Sequence, residues 1–202
     1  MSLSLEERFE KMKDVRDRIL HLSNSPLYQY RIDNKYFPVV GEGSHVARIM
    51  FVGEAPGENE AKTARPFCGK SGRILDEMLE SISLNRSDVF ITNIVKDRPP
   101  GNRDPSVDEL AIYAPFLNEQ IDIIQPKVIA TLGRFSMTYI MNYFGLTAQI
   151  GMISELHGKE FVAHQNYGSV TIVPLYHPAV ALYDGGNKQT LLDDFQVLKK
   201  YI

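Results

Sequence analysis

Residues 47–57 read Ala-Arg-Ile-Met-Phe-Val-Gly-Glu-Ala-Pro-Gly, and this stretch decides the fold class of the chain. Its first half is a run of mostly apolar residues, and its second half contains two glycines and a proline. A short apolar run that ends in a turn of this kind is typical of a strand covered on both faces. We therefore expect residues 47–52 to form a buried strand.

Three more runs of the same type, at 89–95, 128–132 and 170–175, predict three further strands. Apolar residues at helical spacing lie between them, at 71–83, 106–124 and 134–143, and also at 4–22, whereas 26–43 is predicted to be irregular. Strands that alternate with helices favour right-handed crossovers and a mostly parallel sheet. We expect one α/β domain, 1–202, in which helices cover both faces of a four-stranded sheet.

Composition excludes several classes of protein. The chain has 202 residues and a net charge of −3, which argues against a protein that binds nucleic acid by general charge alone. Its apolar runs are too short to cross a bilayer, and the first residues lack a secretory pattern, so we expect a cytoplasmic protein without membrane contact. The single cysteine, Cys68, allows no internal disulfide and cannot by itself form a zinc or iron–sulfur site.

Three predicted strands end in residues that carry chemistry. Glu54 follows the first strand within a glycine-rich turn, Asn93 ends the second, and His177 follows the fourth and precedes Pro178. Ligands bind at the carboxyl ends of the strands in sheets of this class. An asparagine offers both a donor and an acceptor to a nucleobase edge, and a histidine held extended before proline can donate into the crevice. Each motif alone also fits a structural role.

Taken together and in order, six motifs resemble those of family 4 uracil-DNA glycosylases. They are Gly-Glu-Ala-Pro-Gly at 53–57, Arg-Pro-Phe-Cys-Gly-Lys-Ser-Gly at 65–72, Ile-Thr-Asn-Ile-Val-Lys at 91–96, Arg-Pro-Pro-Gly-Asn-Arg-Asp-Pro at 98–105, Pro-Lys-Val-Ile-Ala-Thr-Leu-Gly at 126–133 and His-Pro-Ala-Val-Ala-Leu at 177–182. The resemblance implies a three-layer α/β/α sandwich. It also implies a DNA-repair enzyme that hydrolyses the N-glycosidic bond of a uracil flipped out of DNA and leaves an abasic site.

The resemblance also implies roles for single residues. Phe67 would stack on uracil, Asn93 would read its amide edge, and Glu60 would occupy the place of a thymine methyl group. His177 would hydrogen-bond the charge that develops on uracil O2, and Glu54 would hold the water or stabilise the sugar cation. The resemblance does not decide between Glu54 and Glu60 for the water, and we assign it to Glu54. The remaining implied contacts are Gly53, Ala55 and Gly57 with uracil, and Lys70, Ser71, Arg98, Arg103 and Pro178 with DNA.

The chain departs from the family at the iron–sulfur ligands. Where the family has four cysteines, this sequence has Leu22, Ser25, Asp97 and, in the helix that follows, Tyr113. None of these side chains supplies a thiolate, so we expect neither a cluster nor another metal. A cluster would link the N-terminal helix to the proline-rich loop, and Leu22 and Tyr113 are the candidates for an apolar contact that replaces this link.

Two alternatives stay open at this point. The chain could release another deaminated base such as hypoxanthine, or it could bind damaged DNA without cleaving it. No basic, histidine-containing insertion lies between Lys96 and Asp104, which argues against the relatives that trap DNA covalently. We expect a monomer whose partner is uracil-containing DNA.

Overall fold

A computed structural model describes residues 3–182 and 185–202 and has a six-stranded sheet between two layers of helices. The strands are β1 Glu42–Gly43, β2 Ile49–Gly53, β3 Phe90–Asn93, β4 Val128–Leu132, β5 Phe161–Gln165 and β6 Gly168–Leu175. The helices are α1 Leu5–Leu20, α2 Tyr28–Asp33, α3 Glu58–Thr63, α4 Lys70–Ser81, α5 Val107–Ile124, α6 Arg134–Tyr143, α7 Ile153–Leu156 and α8 Gly185–Gln196. Five 3-10 turns lie at Arg86–Asp88, Pro100–Asn102, Thr147–Gln149, Pro178–Leu182 and Val197–Tyr201.

The sheet order is β1-β3-β2-β4-β6-β5, and the inner four strands are parallel. These four are the strands predicted from the sequence, so the fold class is confirmed. The predicted number of strands is wrong, because β1 and β5 add an antiparallel strand at each edge. β1 has only two residues, and β5 is half-exposed, so neither forms a continuous apolar run.

The predicted irregular segment 26–43 is partly wrong as well, since it contains α2 and β1. Helix α2 spans only six residues, which is too short for a helical period to appear in the sequence. The four predicted helices at 4–22, 71–83, 106–124 and 134–143 correspond to α1, α4, α5 and α6, with ends that differ by a residue or two at most. Helix α5 begins at a capping box formed by Ser106 and Glu109.

The apolar core divides into two layers, one on each face of the sheet. Met50 and Val52 of β2 pack towards α1, α5 and α6, while Ile49 and Phe51 pack towards α4 and α8. Successive side chains of a strand point to opposite faces, so a strand buried on both faces must be apolar throughout. The three-layer α/β/α sandwich is therefore confirmed.

The parallel register brings the chemistry-bearing strand ends to one edge of the sheet. Gly53 at the end of β2 pairs with Asn93 at the end of β3, and β6 ends at Leu175, two residues before His177. Within the described residues, helices long and apolar enough to cross a membrane are absent.

Candidate active site

A cleft of about 350 Å³ opens at the carboxyl edge of the sheet. It gathers residues from the loops that follow β2, β3 and β6, as expected for ligand sites in parallel sheets. Its lining residues are Glu54, Ala55, Pro56, Gly57, Glu60, Phe67, Ser71, Asn93, Pro99, Asn102, Arg103, Asp104, His177 and Ala179. Nine of the thirteen site residues named from the sequence line this cleft, and the other four, Gly53, Lys70, Arg98 and Pro178, lie beside it in the chain.

Asn93 lines the cleft and has a buried side-chain oxygen without a partner among the described residues. Its side chain is 2% exposed, and Oδ1 has no hydrogen-bond partner in the described structure. A buried amide oxygen without a partner is costly unless a ligand or water supplies a donor. Gly53 permits this arrangement, because a Cβ there would lie 2.3 Å from Asn93 Oδ1 and 2.7 Å from Phe67 Cζ.

Phe67 forms the apolar wall of the cleft and has a strained backbone. Its φ is 48°, in the left-handed region that a bulky residue rarely adopts. Arg86 holds this conformation, since its Nη1 donates to the carbonyl oxygen of Phe67 at 2.9 Å and to Asp76 at 2.9 Å, and its Nη2 donates to the carbonyl oxygen of Pro66. This role of Arg86 could not be predicted from the sequence, because the contact joins residues 19 positions apart.

His177 faces Phe67, with ring centroids 5.8 Å apart. The main-chain N–H of Ala179 donates to His177 Nδ1 at 3.1 Å, so in the neutral ring the proton sits on Nε2. Burial lowers the pKa of His177, while the nearby Glu60 carboxylate opposes that shift. The ring is therefore neutral at pH 7 and can donate a hydrogen bond from Nε2.

Glu54 carries a carboxyl group with a strongly shifted pKa. Burial and then the charge of Asp104 raise its pKa to about 7, and Arg134 partly offsets this. Its side chain makes neither a hydrogen bond nor an ion pair with the part of the chain that the structure describes, which leaves both oxygens available to a ligand or a water. Asp104 and Arg134 were not assigned to the site from the sequence.

Glu60 differs from Glu54 in that its carboxylate is already engaged. Oε1 accepts hydrogen bonds from the main-chain N–H groups of Cys68, at 2.9 Å, and Gly69, at 2.8 Å. These amides immediately precede α4, so the carboxylate also lies favourably beside the positive end of a helix dipole. Glu60 thereby joins α3 to the loop that carries Phe67.

The residues expected to contact DNA fall into two groups. Lys70 is exposed at the start of α4, and Ser71 and Arg103 line the cleft. Arg103 also pairs with Glu109 through two hydrogen bonds of 2.6 and 2.9 Å. Arg98 is mostly buried and donates to Tyr36 Oη and Asn102 Oδ1, both at 2.8 Å, whereas Pro178 is buried in the turn after His177. The described lining residues missed from the sequence are Pro56, Pro99, Asn102, Asp104 and Ala179.

The four positions that correspond to cluster cysteines meet at one buried place. The hydroxyl group of Tyr113 lies 2.6 Å from Asp97 Oδ2 and 2.7 Å from Ser25 Oγ, and Arg31 Nη1 lies 3.2 Å from Asp97 Oδ2. Arg31 Nη2 donates to the carbonyl oxygen of Leu22 at 3.2 Å, and the Leu22 side chain packs against the small apolar cluster of Leu27, Val95 and Tyr113. Leu22 and Tyr113 are thus near each other, as the sequence led us to expect, whereas the hydroxyl end of Tyr113 lies among polar groups.

These side chains do not fit an iron–sulfur cluster, because none supplies a thiolate and their polar atoms already bind one another. Over residues 3–182 and 185–202, the structure holds no group of three or more His, Cys, Asp or Glu side chains arranged for a metal ion. We call Ser25, Arg31, Asp97 and Tyr113 the buried polar cluster.

Comparisons with known proteins identify the family of this chain. A family model described as the uracil DNA glycosylase superfamily matches residues 40–198. The chain is 42% identical to the Type-4 uracil-DNA glycosylase of Sulfurisphaera tokodaii, over 95% of this chain and 84% of that protein. It is 40% identical to the Type-4 uracil-DNA glycosylase of Saccharolobus solfataricus, over 92% and 84% of the two chains. The corresponding protein of Archaeoglobus fulgidus is 38% identical, over 93% and 91%. The chain therefore belongs to the uracil DNA glycosylase superfamily.

Proposed function

We propose that this protein is a monofunctional uracil-DNA glycosylase that removes uracil from DNA and leaves an abasic site. One observation carries the proposal: Asn93, whose buried amide oxygen has no partner among the described residues, lines a cleft together with Phe67 and His177. Uracil supplies the matching donor at N3–H beside an acceptor at O4. Phe67 gives the ring an apolar surface for stacking.

The two sides of the cleft suit the charges of the reaction. Cleavage of the C1′–N1 bond sends its electron pair to the base, and the sugar becomes cation-like in the transition state. His177 Nε2–H donates to uracil O2 as negative charge develops there. Water adds to C1′ and its proton passes to the ionised Glu54, which also stabilises the sugar cation. The engaged state of Glu60 supports Glu54 in this role.

Two further features support an activity that excludes thymine and stops at hydrolysis of the base. The carboxylate of Glu60 is fixed by two main-chain amides, so it can exclude the methyl group of thymine. Among the described residues that line the cleft, none is a lysine, the side chain whose amine could attack the sugar and cut the strand. This composition supports hydrolysis alone.

For DNA contact we propose Lys70, Ser71 and Arg103 as direct partners, since Lys70 is exposed and the other two line the cleft. Arg98 and Pro178 support the loops behind them, because Arg98 is hydrogen-bonded within the protein and Pro178 is buried.

We also propose that the protein works without an iron–sulfur cluster. The support is the buried polar cluster, in which the side chains at three of the four family ligand positions bind one another or Arg31. This cluster links the segment after α1 to the start of the loop that follows β3. Those are the parts that a metal cluster would have joined.

Incubation with oligonucleotides that contain one uracil, one hypoxanthine or no altered base tests the function. We expect release of uracil from single- or double-stranded substrate, detected as free base and as alkali-labile sites. Preferential release of hypoxanthine, whose N1–H and O6 offer a similar edge to Asn93, would identify the alternative activity.

Variants make this experiment sharper. Glu54→Gln should abolish most of the release while DNA binding persists, and Glu10→Gln on the exposed face of α1 serves as the matched control. DNA binding without release of any base by the parent protein would leave a non-catalytic binding module as the function. The monomeric state and the cytoplasmic location stay predictions, and light scattering of the purified protein tests the first.

A further inference from the structure

Lys96 is a fully buried lysine directly behind the candidate active site. Its Nζ lies 2.7 Å from the main-chain oxygen of Asn93, 2.7 Å from Gln120 Oε1 and 2.8 Å from Thr92 Oγ1. In the described part of the chain it forms no ion pair with a carboxylate, although a buried charge normally has one. Gln120 and Thr92 are fully buried as well.

The three neighbours of Lys96 all act as acceptors. The amide of Gln120 is oriented by its own donation from Nε2 to the carbonyl oxygen of Val40 at 2.9 Å, so Oε1 faces Lys96. The hydroxyl of Thr92 also donates to Val40 O at 2.9 Å, which leaves a lone pair towards Lys96. A neutral amine would turn its own lone pair towards one of these oxygens. An ammonium group supplies one N–H to each of the three.

The charge state follows from a balance of two effects. Burial lowers the pKa of Lys96 well below its ordinary value. Three short hydrogen bonds to oxygen act in the opposite direction, because they stabilise the charged form. We take the ammonium form from the geometry of the donors and acceptors.

The hydrogen bond between Lys96 Nζ and the main-chain oxygen of Asn93 connects Lys96 to the part of the cleft that Asn93 lines. The side-chain Oδ1 of Asn93 has no partner among the described residues. In a water-poor interior an uncompensated positive charge acts over a longer range than at the surface. The negative charge of a departing uracil spreads from N1 to O2 and O4, so part of it would lie at the O4 edge that Asn93 reads.

Resting on the function proposed above, we propose that Lys96 is a positioning residue for base release. It fixes Asn93 through the main-chain oxygen, and its buried positive charge favours the anionic leaving base. The residue does not touch the base, so it acts through Asn93 and through the electrostatic potential of the cleft.

Substitution of Lys96 by methionine removes the charge and keeps most of the apolar stem. In single-turnover assays we expect Lys96→Met to lower the rate of uracil release about 100-fold, the scale of a misplaced catalytic group. The loss should be smaller for 5-fluorouracil, whose more acidic N1 leaves more readily as an anion. Lys13→Met, an exposed position on α1, is the matched control.

A second variant covers the case in which Lys96→Met does not fold. Gln120→Glu places a carboxylate beside Lys96 and neutralises its charge, and the thermal melt checks that the fold persists. We expect it to reproduce the loss for uracil and the smaller loss for 5-fluorouracil. The inference is overturned if either variant folds and releases uracil at the parental rate. It is also overturned if the rate of release falls by the same factor for uracil and for 5-fluorouracil. Absence of release by the parent protein would instead overturn the proposed function.

Discussion

At the scale of the residue, Glu54 links the structure to a pH dependence. Its pKa is raised to about 7 by burial and by Asp104, so in the free protein about half of the molecules carry the proton at neutral pH. The proposed chemistry needs the ionised form, which accepts a proton from water. The folded-state pKa lies above the ordinary value, and the active form therefore accumulates as the pH rises through about 7.

We predict that kcat/KM for uracil release increases with pH and levels off above about pH 8, one unit beyond the raised pKa of Glu54. Glu54→Gln should lower the rate at least about 100-fold and remove this rise. Initial rates on one uracil substrate from pH 5 to 9 measure both effects. A rise near pH 7 that survives in the variant would assign the titration to another group.

A second prediction at this scale concerns the hydrogen bond that His177 donates to the base. The hydrogen bond from Ala179 N–H to Nδ1 fixes which nitrogen donates, and burial keeps the ring neutral. We predict that His177→Gln slows base release about 100- to 1,000-fold, as expected for loss of one donor to a developing anion. Affinity for uracil-containing DNA should change by only a few-fold. An equal loss in binding and rate would mean that His177 positions the substrate in the ground state.

At the scale of the element, the loop between α3 and α4 depends on contacts from two other segments. Glu60 binds the amides of Cys68 and Gly69 from α3, and Arg86 binds the carbonyl oxygens of Pro66 and Phe67 from the turn after α4. These contacts hold Phe67 in a left-handed conformation that the chain alone disfavours. The wall of the cleft is thus held in place by partners on both sides.

We predict that Arg86→Leu releases this strain and displaces Phe67. Stability should fall by about 1–3 kcal/mol, the cost of leaving buried carbonyl oxygens without partners. The rate of uracil release should fall about tenfold or more because the stacking surface moves. Urea unfolding and single-turnover rates measure the two effects, and Arg16→Leu on the exposed face of α1 is the control. A loss of stability with an unchanged rate of uracil release would show that Arg86 stabilises the fold without positioning Phe67 for the reaction.

At the scale of the whole molecule, the buried polar cluster joins segments that are distant in sequence. Tyr113 of α5 binds Ser25, 88 residues earlier, and Arg31 of α2 binds Asp97, 66 residues later. Burial raises the pKa of Asp97, whereas Tyr113 and Arg31 lower it by binding the carboxylate. Removing the Tyr113 hydroxyl takes one hydrogen bond from Asp97 and one from Ser25, although Arg31 still binds Asp97 and the Leu27 N–H still binds Ser25. A buried polar group that loses a partner costs more free energy than the net gain from one hydrogen bond.

We predict that Tyr113→Phe lowers the free energy of unfolding by about 1–3 kcal/mol. Tyr143→Phe is the control, because its hydroxyl has no hydrogen-bond partner among the described residues. Purified parent protein should contain no iron, and a chelator should change neither its melting temperature nor its rate. Iron bound in stoichiometric amount, with the visible absorbance of a cluster, would contradict the proposed replacement.

Much of the fold could be predicted because its signals are local. The four inner strands are mostly apolar runs bounded by glycine or polar residues, and the long helices repeat their apolar positions at a regular spacing. Strands β1 and β5 and helix α2 escaped prediction because they are short or half-exposed. Nine of the fourteen described residues that line the cleft could be named from their motifs, because Glu54, Asn93 and His177 each lie at or just after the end of a strand.

By itself, the sequence determined the layer architecture, the family and the residue types at the strand ends, because periodicity and motif order are properties of neighbouring residues. Only the tertiary structure decided how those residues behave. The raised pKa of Glu54, the left-handed Phe67 held by Arg86 and the three oxygen partners of the buried Lys96 amine depend on how the folded chain packs. Burial and hydrogen-bond partners set these properties, and chain folding alone brings such partners together.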